Sequence, residues 1–197
     1  MKQFGNYDEA KKQAQAAGGE RLPEGAYVCK VLGVRYENGE NGYSDRIVVQ
    51  FDIAEGEHRD FFKKQYEGNT SEDKKWKGKV NIFVPSDDGS EKDAWTKKNF
   101  AGWTNAFEES NPGYSWDWDE NKWKGKQIGI VFGTTGTVIN NSKITYTEPR
   151  FAIGVGRVKD GTAPKAKFKS KNGYDSDKTT NDGFVSVPDN VPEEFPF

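Results

Sequence analysis

The sequence predicts a mainly β fold, a small antiparallel sheet with one helix between its third and fourth main strands and a tail without structure. Three observations predict it. In DRIVVQFDIAEG, Ile47, Val49, Phe51 and Ile53 alternate with Arg46, Val48, Gln50 and Asp52, the pattern of a strand with one buried face. Only residues 91–109 repeat their large apolar side chains at spacings of three and four, through Phe100, Trp103 and Phe107. After Val158 neither period survives, and the chain turns Lys-rich and then acidic.

Taken in order, DEAKKQAQAA (8–17) favours helix but has almost no apolar face, so residues 1–19 read as a weakly anchored helical arm. LPEG (22–25) is a turn, and Ala26–Tyr36 a first strand whose alternation Gly33 interrupts, which predicts a bulge or a bend. NGENGYS (38–44) is a flexible loop with Tyr43 near its tip. The second strand is the one above, and EHRDFFKKQYEG reads as its hairpin partner across a short turn at 55–56. NIFVP (81–85) is a short further strand. Ser90-Glu-Lys-Asp93 has the form of a capping box that opens the helix, and SNPG (110–113) stops it. KQIGIVFG and KITYTEPRFAIGVGRV are the last two strands, and TTGTVINNS between them is long enough to be mobile. No strand–helix–strand alternation occurs, which argues against a parallel sheet. This order is the layout of an OB-fold, a five-stranded Greek-key barrel, with a generic helix-covered sheet as the competing architecture.

Charge and composition narrow the function. The formal charge of −2 divides into −5 for residues 175–197 and +3 for residues 1–174, a mildly basic body with an acidic tail. Cys29 and His58 are the single cysteine and histidine, so neither an internal disulfide nor a Cys/His zinc site is available. DWDEN (117–121) opens like a calcium loop, but Lys122 stands where the turn glycine belongs and Ile128 where the bidentate Glu belongs. GTTGT (133–137) lacks the Gly-Lys-Ser/Thr of a phosphate loop. The expectation is a protein without catalytic residues, metal or cofactor, and, with no apolar leader or spanning run, an intracellular one with no membrane association.

Nucleic acid has the better physical case. A single strand is held by cations that follow its phosphates and by aromatic faces on which bases stack. RDFFKKQY supplies both: as a strand it would put Phe62, Lys64 and Tyr66 on one face and Arg59, Phe61, Lys63 and Gln65 on the other, and alternation does not decide which faces water. Arg46 from the second strand, Tyr43 from the first loop, and Lys143 and Arg150 near the last hairpin complete the candidate contacts. Trp76, Trp116, Trp118 and Trp123 are expected to divide between packing and surface. Lys165, Lys167, Lys169 and Lys171, with Phe168, read equally as phosphate contacts or as a solubilising linker.

Three stretches, LPEGAYVCKVLGV (22–34), VVQFDIAEGEHRDFF (48–62) and FAGWTNAFEESNPGYSWDWDENKWKGKQIGIVFG (100–133), resemble single-stranded DNA-binding proteins of phages and prophages of Gram-positive bacteria. The end, PEEFPF, is similar to the acidic tip of bacterial single-stranded DNA-binding proteins, with Glu193, Glu194, Pro196 and Phe197 matching it. The resemblance implies an OB-fold body (20–160) that coats single-stranded DNA during replication, recombination or repair in the cytoplasm of a bacterial host. It also implies a flexible linker (161–188) and a tip (189–197) that docks replication and recombination proteins through Asp189, Glu193, Glu194, Phe195, Pro196 and Phe197. Here the linker is Lys-rich rather than Gly/Gln-rich, and only two acids adjoin the Pro-Phe end. Independently of family, a terminal Phe can fill an apolar pocket while its carboxylate meets a cation, and Pro196 lowers the ordering cost. A homo-oligomer is left open. The rival readings are an RNA-binding OB module and a β-rich adaptor or carbohydrate-binding protein using the Trp cluster.

Overall fold

The computed structural model describes residues 21–40 and 44–174. The expected N-terminal arm, Tyr43 and the tip residues Asp189, Glu193, Glu194, Phe195, Pro196 and Phe197 lie outside the described residues. The elements are β1 (Gly25–Glu37), β2 (Arg46–Ile53), α1 (Phe61–Glu67), β3 (Lys79–Phe83) and α2 (Glu91–Ser110). A 3₁₀ turn (Glu120–Trp123), β4 (Gln127–Ile139), β5 (Ser142–Ile153), α3 (Val155–Lys159) and β6 (Lys169–Ser170) follow. The molecule is mainly β, with one open mixed sheet in the order β3-β2-β1-β4-β5 and β6 beside β4. β6 runs parallel to β4, and the other pairings are antiparallel. β3 and β5 are the two ends of that order, and no β3–β5 pairing occurs among the described residues. The expected closed barrel is thus realised here as an open sheet.

β1 and β2 form where alternation placed them, and the bulge falls between Val31 and Gly33. Val31, Val34, Val49 and Phe51 share the inner face, with Ile82 and Val80 of β3 and Ile128, Ile130 and Phe132 of β4. α2 closes this core. Ser90 caps it by accepting the Asp93 amide at 3.1 Å, as the capping box predicts. Phe100, Trp103 and Phe107 face inward, and the fully buried Phe107 stacks on Trp123 at 4.5 Å between ring centres. Burial of each such ring contributes about 1.5–3 kcal/mol.

Residues 57–67 differ from expectation. They form the turn and helix α1, not a strand hairpinned to β2. The cause is tertiary. Asp60 reverses the chain in the left-handed region at φ 59°, and the buried Asp52 carboxylate accepts from the amides of Phe62 and Lys63, both at 2.9 Å. Two of the helix's unpaired first-turn donors are thereby satisfied from the neighbouring strand. Phe62 then meets Phe51 and Phe132 edge-on or stacked. Gly78 makes room: a Cβ there would lie 2.3 Å from the Phe51 carbonyl oxygen and 2.7 Å from the Phe62 ring.

The last strands also depart. TTGTVINNS is mostly strand, since β4 runs to Ile139 and only Asn140 and Asn141 turn, both left-handed (φ 48° and 61°). That is the geometry of a two-residue I′ hairpin. β5 ends at Ile153, earlier than expected, and the Val155 amide donates to Ser110 Oγ of α2 as the chain leaves the sheet into α3. Beyond 160 the expected linker remains in contact with the sheet as far as Tyr174, through β6.

Candidate nucleic-acid interface

The outer face of β1–β2–β3 is set by register. Arg35 pairs with Val48 and Val48 with Asn81; Glu37 pairs with Arg46 and Arg46 with Phe83; Gln50 pairs with Lys79. Paired residues share a face, so Arg35, Arg46, Gln50, Lys79 and Phe83 line one side, opposite the core. Phe83 is 47% exposed, with Leu32 at the bulge beside this face at 43%. Glu37 is gripped by two guanidinium groups, Arg35 at 2.6 Å and Arg46 at 2.6 Å. The hydrogen bonds from Arg35 and then Arg46 hold the Glu37 carboxyl below the usual carboxylate range. At the base of the following loop Asp45 accepts from the Tyr36 hydroxyl and from the Gly39 amide, which fixes where that loop leaves the face.

A second cationic group adjoins β3. On α1, Lys63 and Lys64 are exposed, with Lys63 4.0 Å from Glu67. Tyr66 leans on Trp76 with ring centres 5.9 Å apart, and the Lys74 ammonium stands 4.8 Å from the Tyr66 ring. The Trp76 indole N–H is spent on the carbonyls of Phe51 and Gly78, at 3.1 and 2.9 Å. A cavity of about 350 Å³ opens where β3 and β5 fail to pair, lined by Phe62, Lys77, Lys79, Phe132, Thr147 and Pro149 among others.

The nominated residues therefore separate. Arg46 lies on the outer face. Arg59, its side chain 70% exposed, sits before α1 at 3.6 Å from Asp60. Phe61 and Phe62 are corrections: at 7% and 8% exposure they are core, with no face free for a base. Lys143 lies near the β4–β5 turn, its ammonium 5.8 Å from the Tyr174 ring. Arg150 is also a correction. Its side chain is only 12% exposed and donates to Glu148 at 2.9 Å, to the Thr134 carbonyl at 2.9 Å and to Thr135 Oγ1 at 2.6 Å. Its charge is committed within the fold.

Sequence reading missed Arg35, Lys79 and Phe83. The signals were present: Val80 and Ile82 point inward, so Lys79, Asn81 and Phe83 must point out, and the bulge at Gly33 resets the outward positions of β1 to include Arg35. The tryptophans divide as expected, with Trp123 fully buried and Trp118 80% exposed. Burial first, and the Asp52 charge second, push the Cys29 thiol well above its ordinary range, so it stays protonated. His58 stands edge-on between Tyr27 and Phe61, at 5.7 and 6.3 Å. Among the described residues no group of three or more His, Cys, Asp or Glu is placed to hold a metal ion, and no helix is long and apolar enough to cross a membrane. No family model and no curated protein matches this chain.

Proposed function

We propose that this chain is a single-stranded DNA-binding protein built on an OB-fold opened along β3 and β5. The observation that carries the reading is the outer face of β1–β2–β3, where register sets Arg46 directly across from the half-exposed ring of Phe83, with Arg35 and Lys79 farther along the same face. Cations spaced along strands suit a phosphate backbone, and an exposed ring across from one of them suits a base. Neither contact reads base edges, so binding is expected to be largely independent of sequence. Lys63, Lys64, Lys74 and Lys77 extend the same charge past α1. The strand order β3-β2-β1-β4-β5, with a helix between β3 and β4, supports this reading. Replication and recombination proteins are the proposed partners of the acidic tip, Asp189 to Phe197, through the terminal Phe and its carboxylate.

The test is a titration of the full chain with a dT oligonucleotide at several salt concentrations, read by fluorescence anisotropy of the DNA. Affinity that falls steeply with salt is expected, and no binding at low salt would remove the reading. A parallel titration with rU separates DNA coating from RNA binding. One observation favours a second reading, a carbohydrate or adaptor surface: Trp118 is 80% exposed, lies nearly parallel to Phe100 at 6.5 Å and takes φ 67°, costly for a bulky residue. That reading predicts glycan-dependent Trp quenching and no salt-dependent DNA binding.

A further inference from the structure

Residues 165–174 carry the Lys-rich run, and the fold holds them against the β4–β5 hairpin. Lys169 and Ser170 pair in parallel with Thr135 and Gly136, beyond the point where β1 stops pairing with β4. The Lys171 amide donates to the Gly136 carbonyl at 2.9 Å. Its ammonium donates to the Tyr146 hydroxyl at 3.1 Å and to both Glu148 oxygens at 3.2 Å. Glu148 also accepts from Thr135 Oγ1 at 2.8 Å and from Arg150, and Asn172 Nδ2 donates to Thr137 Oγ1 at 3.2 Å. Ordering a residue costs about 1–2 kcal/mol of backbone entropy, and a mere spacer gains nothing from it.

The anchored segment holds an aromatic pair at the surface. Phe168, 48% exposed, meets Tyr174 with ring centres 5.8 Å apart, and Lys143 stands beside Tyr174. Both rings lie against Gly136, where a Cβ would come within 2.5 Å of Tyr174 and 2.7 Å of Phe168. Lys165, Lys167 and Lys169 are exposed, and among the described residues none has a carboxylate within ion-pair distance. Along β5 this ledge continues through Thr145 and Thr147, the partners of Gly136 and Thr134, and Thr147 lines the cavity that Lys77 and Lys79 line from the other side. Lys79 and Thr147 thus line one cavity from the two sides of the open seam.

We infer that residues 165–174 and the β4–β5 hairpin form a second contact for single-stranded nucleic acid, with Phe168 as a stacking face and Lys165, Lys167 and Lys169 on phosphates. The inference rests on the function proposed above and adds to it a segment that sequence reading left between linker and contact. It makes the bound strand longer than the β1–β3 face alone can cover.

The test compares the full wild-type chain with Phe168→Ala and with the triple variant Lys165→Gln, Lys167→Gln, Lys169→Gln, titrating labelled dT oligonucleotide against salt. Protection of the Lys171 amide from exchange verifies that the segment stays attached in each. Phe168→Ala is expected to weaken binding about five- to one-hundred-fold. The triple variant is expected to flatten the slope of log K against log salt by about 2. Wild-type binding with both variants unchanged in affinity and slope would overturn this inference and leave the proposed function standing. Absence of wild-type binding would overturn both.

Discussion

Two groups of phenylalanines in this molecule lie within four residues of lysines in the sequence, and the fold puts them to opposite uses. Phe61 and Phe62 precede Lys63 and Lys64 on α1, and both rings are buried, Phe62 against Phe51 and Phe132 and Phe61 against His58 and Phe62. Phe83 on β3 and Phe168 beside β6 remain about half exposed, at 47% and 48%. Period explains the contrast. On a helix, neighbours i and i+1 can both turn to the core while i+2 and i+3 turn away, which separates the rings from their lysines. On a strand, residues two apart share a face, so Phe83 keeps Asn81 and, farther along, Lys79 on its own side, with Arg46 paired across from it. A ring and a cation form a candidate binding surface only when the backbone period aligns them.

The contrast breaks most readily at the buried group. Phe62→Ala empties a site between Phe51 and Phe132 and should cost about 3–5 kcal/mol of stability. The measurement is the denaturant midpoint; a loss under about 1 kcal/mol would mean that the ring is not core. Phe83→Ala should do the reverse, leaving stability within about 0.5 kcal/mol while weakening dT binding by about 1–3 kcal/mol. Equal loss of both in either variant would erase the distinction between the two groups.

A smaller effect concerns the exposed side of α1. Lys63→Ala with Lys64→Ala should flatten the salt dependence of dT binding by about 1–1.5 in log–log slope. An unchanged slope would restrict the interface to the β1–β3 face and the β6 ledge.

The smallest expected effect is on pH. Burial alone would raise the Glu148 carboxyl, but hydrogen bonds from Thr135 and Lys171 and the Arg150 charge outweigh it and hold it below the usual range. A carboxyl lowered on folding stabilises above its unfolded value, about 4.3, and that contribution is lost as pH falls through the lower folded value. Burial would lower Lys171, but Tyr146 and Glu148 raise it. Its contribution is therefore complete below about 10.4 and fades as pH rises through the higher folded value. Exchange protection of the Lys171 amide, corrected for intrinsic rates, should be flat from about pH 5 to 9 and drop in acid. A drop near pH 6 to 7 would show that a different group holds the segment.

Much of the fold was legible because it rests on local signals. The alternation of Ile47–Ile53, the bulge at Gly33, the Ser90 cap and the Phe100–Phe107 spacing each depend on a few neighbouring residues. What was not legible depends on distant ones. DFFKKQY satisfies a strand pattern as well as a helical one, and the decision is made by Asp52 capping from another strand and by Gly78 giving way to Phe62. Arg150 looked available because, although Glu148 stands two residues before it, nothing nearby in sequence announces Thr134 and Thr135 as its further partners in space. The 165–174 segment has no periodicity because it is held by an edge and an ion pair rather than by a buried face. Asn140-Asn141, a pair suited to a tight left-handed turn, was a local signal overlooked, as was the alternation that turns Lys79 and Phe83 outward.

The most direct test of the account is lysine footprinting. The full chain would be acetylated briefly, with and without saturating dT oligonucleotide at low salt, and each lysine's reactivity read by mass spectrometry. DNA should shield Lys77 and Lys79 beside the seam and Lys165, Lys167 and Lys169 on the ledge, while Lys92 and Lys98 on the exposed side of α2 stay reactive. Shielding of Lys92 and Lys98 with Lys77 and Lys79 still reactive would contradict it.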